Sequence, residues 1–245
     1  DKVGAQNPAY VRSASIEEFG RLQQQAMGLI KLVDVAPEQP GNLEFIRQMS
    51  HDVRVSVAHT CTSYDDACAA FDAGARHMTH LFNAMPALHH REPGPIAAGA
   101  ERNDVTAEII ADGVHIHPAM VRLAFALFGD DRMILISDSL RACGLGDGEY
   151  ELGGQQFFVK GNRATIANGS LAGSVSDVMA CMRTAVRTMG IPLTSAVKAA
   201  TVNPARALGL DGKLGAIAPG YQADAVVIDR DLNIKHVVLR GKAIA

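Results

Sequence analysis

Short apolar runs, each meeting a polar residue at or near its end, recur through the first half of this chain. His59 closes VRVSVAH, His80 lies within HMTHLFNA, Asp112-Gly113-Val114-His115 follows on TAEIIA, and Asp138 closes MILISD. Each run of Val, Ile, Leu, Met or Ala has the length of a buried parallel strand, and helix-like stretches separate the runs. In a parallel α/β architecture the C-terminal ends of all strands emerge on one side, so residues far apart in sequence meet there. Two His and an Asp converging at such an end point to a metal-dependent hydrolase.

The pattern predicts a first helix from Ser15 to about Leu29, with Ser15 and Glu18 as a capping box. A strand over IKLVDVAP follows, then a helix over NLEFIRQM and a strand over VRVSVAHT. SYDDACAAFDAGA predicts a helix with Ser63 and Asp66 as its box and Gly74 near its end. HMTHLFNA reads as the next strand and MPALHHREPGPIAAG as a long loop rich in Pro and Gly. Strand TAEIIADG, helix HPAMVRLAFALFG and strand MILISDS bring the strand count to five.

From Gly148 the pattern changes. GEYELGGQQFFVKGNRATIANGS alternates apolar residues between Gly and Asn turns, which predicts a small antiparallel insertion near residues 148–170. Ser174 to Met189 then reads as an amphipathic helix, with Val175, Val178, Met179, Met182, Val186 and Met189 on one face and Gly190 as its stop. LTSAVKAATVNPARALG predicts a further helix, and ADAVVIDRDLNIKHVVLRGKAI two strands joined by a turn. The expected organisation is a barrel-like catalytic unit over residues 1–222 and the strands of a small β-domain over 223–245.

A complete eight-stranded barrel takes about 250 residues for its βα units alone, and five units are visible here. Five parallel strands in an open sheet would leave two exposed edges, and GAQNPAY near the start reads as a loop without its preceding strand. The expectation is a partial barrel whose first strands precede Asp1.

Composition removes several function classes. The chain has 245 residues, 48% of them hydrophobic, and its 23 Lys and Arg against 26 Asp and Glu give a formal charge of -3. No basic run is long enough to follow a phosphate backbone, so nucleic acid is not an expected partner. No stretch approaches the roughly 20 apolar residues that span a bilayer, and DKVGAQNPAY lacks the layout of a signal peptide; a cytoplasmic protein without membrane contact is expected. Cys61, Cys68, Cys143 and Cys181 form no C-x-x-C pair, which predicts reduced thiols.

The segments GAQNPAYVR, VAHTCTSYDDA, THLFNAMPALHHREPG, IIADGVHIHP, ISDSLRACG, NGSLAGS, ATVNPARALGL and KLGAIAPGYQADAVVID, in this order, cover nearly the whole chain. Together they resemble the N-acetylglucosamine-6-phosphate deacetylases of the amidohydrolase superfamily, THLFNAM followed by REPG being the most telling pair. The resemblance implies a distorted (β/α)8 TIM barrel with a small β-domain. It also implies hydrolysis of N-acetylglucosamine 6-phosphate to glucosamine 6-phosphate and acetate.

By the same resemblance His59 and His80 match metal ligands, and two imidazoles suit a divalent cation such as zinc or iron. The competing reading of each His is a hydrogen-bonded core residue. Asp138 matches the catalytic Asp, which would take a proton from the attacking water and pass one to the departing amine; its competing reading is a cap on a following helix. Asn83, Ala84, Arg91 and His115, with Asp112, Gly113 and Val114 beside the last, match substrate contacts, and so do Leu171, Ala172 and Gly173. Arg suits phosphate through its planar fork. The residue matching Arg91 reaches a neighbouring subunit's site, which implies a homodimer; a solvated loop charge is the alternative. His89, His90 and His117 read as loop or helix-surface residues.

Two departures stand out. Gln6 in GAQNP occupies the place of a His that polarises the scissile carbonyl, so Ala5 and Gln6 are weaker site candidates. The family's metal-binding Glu belongs to a motif just before the loop that opens this chain, so the metal is expected to lack a protein ligand here. The competing functions are an amidohydrolase acting on another cyclic amide or N-acyl compound, and a noncatalytic scaffold.

Overall fold

A computed structural model describes residues 1–244 of the chain. After a 3-10 turn at Pro8–Tyr10 come α1 (Ile16–Gln25), β1 (Leu32–Val35), α2 (Asn42–Met49), β2 (Arg54–Val57), α3 (Tyr64–Asp72) and β3 (His77–Met78). Then follow α4 (Gly94–Ala100), β4 (Thr106–Ile110), α5 (Pro118–Phe128) and β5 (Met133–Ile136). The five strands form one sheet in the order β1-β2-β3-β4-β5, every neighbouring pair parallel. This is the α/β architecture of successive βα units that the apolar runs predicted.

The caps explain several boundaries. Ser15 accepts a hydrogen bond from the Glu18 N–H and Ser63 from the Asp66 N–H, each satisfying a donor that a helix start leaves free. The first helix is shorter than predicted, ending before Met27 and Gly28, both in the left-handed region.

Register assigns the two faces of the sheet. Val35, Val57, Met78, Ala107 and Met133 stand side by side across the strands. They join Phe45, Ile46, Ala70, Phe71, Ile96, Ala124 and Phe125 from the helices in the main core. The opposite face carries Asp34, Ser56, His77 and Thr106 in register, with Thr79 and Glu108 one step further on. At the end of the sheet where β5 begins, the Arg132 guanidinium donates to the carbonyls of Gly99, Ala100, Arg102, Val105, Leu127 and Phe128 at 2.6–3.3 Å.

Three departures from the predicted elements have local causes. HMTHLFNA keeps only two ladder residues, because His80, Phe82 and Ala84 take positive φ and coil the chain off the sheet. The predicted Pro and Gly loop contains α4, which starts at Gly94 with Pro95 in its first turn, where a missing N–H costs nothing. Its Gly99 packs against β3. The helix predicted from Ser174 begins only at Val178, where Asp177 caps α6 (Val178–Arg187). Cys181, Met182 and Ala185 are its buried residues, while Val178 is exposed.

Between β5 and α6 lies a three-stranded antiparallel sheet, β6 (Gly148–Leu152), β7 (Gln155–Lys160) and β8 (Arg163–Ile166), with its own small core around Phe157. The single helix predicted over 193–209 is two, α7 (Leu193–Ala200) and α8 (Val202–Ala207), broken at Thr201 with φ -132 and ψ -84. β9 (Ala225–Ile228), β10 (Ile234–Leu239) and β11 (Lys242–Ala243) form a final antiparallel sheet. Ala245, the last residue of the predicted β-domain, lies outside the described residues. Among the described residues no helix is long and apolar enough to cross a membrane.

One substitution should act with opposite sign at two helical glycines. A Cβ on Gly99 would lie 2.3 Å from the sulfur of Met78, which is fully buried and has no space to yield, whereas a Cβ on Gly20 meets nothing within 4 Å. Gly99→Ala should therefore cost about 1–3 kcal/mol through overpacking. Gly20→Ala should stabilise by about 0.5–1 kcal/mol through backbone entropy. Urea denaturation midpoints of the two variants check the pair; equal shifts would contradict the packing described.

Candidate active site

The candidate residues sit on turns that follow the C-terminal ends of four adjacent strands: His59 after β2, His80 after β3, Asp112–His115 after β4 and Asp138 after β5. His59, His80 and Asp138 share an uncommon backbone, with φ of 45, 35 and 49°. A non-glycine residue in that region is strained by about 1–2 kcal/mol. Loop hydrogen bonds hold these turns. The Thr60 N–H donates to the Ala84 carbonyl at 3.0 Å and the Leu81 N–H to the Glu108 carbonyl at 2.7 Å. The Asn83 amide donates to the His80 carbonyl at 3.1 Å.

The two histidines meet. Their Nε2 atoms are 3.0 Å apart, with ring centroids at 4.7 Å and planes inclined by 75°. His59 Nδ1 lies 2.9 Å from the Lys2 carbonyl oxygen, which fixes that ring from behind. His80 is buried, and its Nδ1 has no hydrogen-bond partner. Burial and the neighbouring His59 ring push the His80 pKa down, while Asp138 and Asp34 pull it partly back. A neutral imidazole is the form that binds a metal. Two bonds of about 2.0–2.1 Å to a common ion span up to roughly 4 Å, so the separation of the Nε2 atoms fits a shared cation. No cluster of three or more His, Cys, Asp or Glu side chains suited to a metal occurs among the described residues. The pair thus presents two imidazole nitrogens and, among those residues, no third ligand of these types.

Asp138 is exposed at the end of β5. Its reading as a helix cap fails, because the chain turns into β6 and the next helix, α6, is capped by Asp177. The segment carrying Leu171, Ala172 and Gly173 runs alongside: the Ser174 N–H donates to the Asp138 carbonyl and the Leu140 N–H to the Ser174 carbonyl, both at 2.8 Å. Gly173 has φ 107, and a Cβ there would lie 3.0 Å from the Asp138 carbonyl oxygen, so the close approach requires glycine.

After β4, Asp112 accepts from the N–H groups of Val114 and His115 at 2.9 Å each, and its other oxygen lies 2.8 Å from His115 Nδ1. Gly113 completes this turn with φ 83. Burial alone would raise the Asp112 carboxyl, but these hydrogen bonds outweigh it and hold the pKa below its ordinary value.

The remaining candidates are more peripheral. The Ala5 carbonyl accepts from the Gln155 amide at 3.0 Å, which ties the opening segment to β7. Gln6 lines a cavity of about 400 Å3 beside His59, together with Asp34 and Glu38. His80, His115 and Asp138 do not line that cavity, so it flanks the histidine pair. Arg91 stays on the exposed loop before α4, its Nη1 2.6 Å from His90 Nε2, and is not brought to the strand ends of its own chain.

Sequence reasoning missed a polar layer beneath the site. Thr79 donates to Asp34 and pairs with Ser56, both at 2.7 Å. His77 Nδ1 is 2.6 Å from Thr106 Oγ1, and its Nε2 is 3.1 Å from Glu108 but out of line for a hydrogen bond. Asp34 keeps access to solvent through the open cavity, yet the protein packed around it raises its carboxyl pKa, with Glu108 adding to the rise and Thr79 opposing it. Glu38 also escaped notice; it accepts from the Thr60 hydroxyl and from the Cys61 N–H, bracing the turn after His59. The signal was present in Asp34, a charge inside the apolar run KLVDVA.

The model of the Amidohydrolase family matches residues 4–244. The N-acetylglucosamine-6-phosphate deacetylase of Bacillus subtilis (strain 168) is 38% identical over 241 residues, covering 98% of this chain and 61% of that protein. The N-acetylgalactosamine-6-phosphate deacetylase of Escherichia coli O157:H7 is 37% identical over 240 residues, covering 98% and 63%. A mutant N-acetyl-D-glucosamine-6-phosphate deacetylase from Mycobacterium smegmatis, in complex with N-acetyl-D-glucosamine-6-phosphate, has a TM-score of 0.94 and 40% identity, covering 99% of this chain and 65% of that one. The chain thus spans 61–63% of the length of these two curated relatives.

A catalytic zinc site usually has three protein ligands, so the two imidazoles should hold a cation only weakly when the 245-residue polypeptide is expressed on its own. Dialysed protein should carry well under one equivalent of zinc or iron by elemental analysis. His80→Ala should remove what remains. One tightly held equivalent would mean that a further ligand exists beyond this pair.

Proposed function

The chain belongs to the amidohydrolase family, and from that premise we propose that it provides the catalytic strand ends of a deacetylase for N-acetylated amino-sugar 6-phosphates, with N-acetylglucosamine 6-phosphate as substrate. The observation that carries the reading is the pair of imidazole Nε2 atoms 3.0 Å apart, with Asp138 on the same end of the sheet. Relatives of 38–40% identity that are named for this deacetylation support it.

In this reading His59 and His80 hold a divalent cation, zinc or iron. When bound, the cation supplies Lewis-acid activation of the water and the amide carbonyl. The Asp138 carboxylate accepts a proton from the attacking water and returns one to the amine nitrogen as the C–N bond breaks. Gln6 offers an amide N–H toward the carbonyl oxygen. His115 and the segments around Asn83–Ala84 and Leu171–Gly173 bind and orient the sugar phosphate. Arg91, exposed on its loop, reaches the phosphate in the site of a second copy, so the active form is a homodimer. The cytoplasm suits a phosphorylated substrate of this kind.

A second substrate has a specific observation in its favour. The N-acetylgalactosamine-6-phosphate deacetylase is 37% identical, within one per cent of the glucosamine relative from Bacillus subtilis. The two sugars differ only at one hydroxyl, and the chemistry at the amide is common to both.

The test is acetate release by the gene-encoded protein from both 6-phosphates and from unphosphorylated N-acetylglucosamine. N-acetylglucosamine 6-phosphate should have the highest kcat/KM, at least about 100-fold above the unphosphorylated sugar, because the Arg91 guanidinium of the second copy loses its charge-assisted partner without the phosphate. Asp138→Asn should retain metal and lose about 10²–10⁴-fold in kcat, since an amide cannot accept the proton. Equal efficiency with and without the phosphate would remove the phosphate assignment, and full activity in Asp138→Asn would remove the proton-transfer role.

A further inference from the structure

Asp112 has the burial and bonding of a residue that works through its neighbour. Its side chain is 1% exposed and that of His115 is 5% exposed. One carboxylate oxygen is taken by the backbone N–H groups of Val114 and His115, and the other faces His115 Nδ1. Three of the carboxylate's acceptor sites are thus engaged within its own turn.

Resting on the function proposed above, we propose that Asp112 is a positioning residue, which fixes His115 as the tautomer protonated on Nδ1 and leaves Nε2 to face the amino-sugar phosphate. A carboxylate can only accept a hydrogen bond, so the proton between the two groups belongs to the ring. The ring of His115 bonds to the protein through Nδ1, and in the neutral ring Nε2 is then an acceptor open to a sugar hydroxyl. The turn that does this is local: Asp112, Gly113 and His115 lie on one strand-to-helix connection between β4 and α5. Burying a carboxylate is expensive unless hydrogen bonds repay it. Here three hydrogen bonds do so, in keeping with a carboxyl pKa held below its ordinary value. A purely structural turn needs only the oxygen that accepts from the backbone. The second oxygen, committed to the ring, is the part a positioning role explains.

Asp112→Asn separates the two roles. Asparagine keeps an oxygen for the Val114 and His115 N–H groups, but presents an N–H₂ to the ring and forces the proton onto Nε2. Nitrogen-15 NMR of the histidine rings in the gene-encoded protein should show His115 protonated on Nδ1, and on Nε2 in Asp112→Asn at an unchanged unfolding midpoint. KM for N-acetylglucosamine 6-phosphate should rise about 10–100-fold, the range seen when carboxylate partners of metal-bound histidines are removed, with kcat affected less. An Nε2-protonated His115 in the unmodified protein, or an unchanged KM in a correctly folded Asp112→Asn, would overturn the proposal. The unmodified spectrum decides the tautomer even if the variant does not fold. It also decides it if the protein proves inactive on every amino-sugar phosphate, so this idea and the proposed activity can fail separately.

Discussion

Three left-handed turns set the geometry on which the rest of this site depends. A strand that simply continued past His59, His80 or Asp138 would alternate its side chains between the two faces of the sheet. A positive φ instead bends the chain at the strand end, and His59 and His80 are there held edge to face. The strain is small beside the packing energy of the sheet but too large to persist in an unsupported loop. Support comes from bonds between neighbouring turns, such as Thr60 to Ala84 and Ser174 to Asp138. The turns are therefore held by one another as well as by local bonds such as Asn83 to His80.

The polar layer under the turns continues this cross-linking inside the sheet. Thr79 joins β1 to the end of β3 and to β2, and His77 joins β3 to β4. Groups packed this closely bias one another's protonation, even though Asp34 keeps access to solvent through the cavity. Asp34 favours the charged form of His80, while burial and His59 oppose it more strongly. The balance leaves His80 poised as a neutral ring beside a carboxylate-bearing floor.

Much of the fold was legible because apolar period and helix caps act locally. α2 was read with the boundaries it has, and the boxes at Ser15 and Ser63 form as predicted. The family was legible too, from the order of motifs rather than from any one of them. What escaped was set by tertiary contact. GPIAAGA looks like loop, and becomes α4 because small residues let it pack on α3 and β3. The face of α6 was misjudged for the same reason: neighbours bury Cys181 and Ala185 and leave Val178 in solvent. The pairing of His59 with His80 could be placed at one end of the sheet, but not measured, because the turns that aim the rings carry no signature in amino-acid type.

The far end of the sheet constrains the molecule in another way. Arg132 gathers carbonyl oxygens from the ends of α4 and α5 and from the connection into β4, and burial lowers its pKa without removing its charge. A lysine would preserve the charge but offers three donors on one point, where guanidinium spreads five over a plane. Replacing the guanidinium would leave several of these carbonyl oxygens without a donor. One side chain thus acts as a clasp at the end of the sheet opposite the paired imidazoles, and losing it would loosen three connections at once.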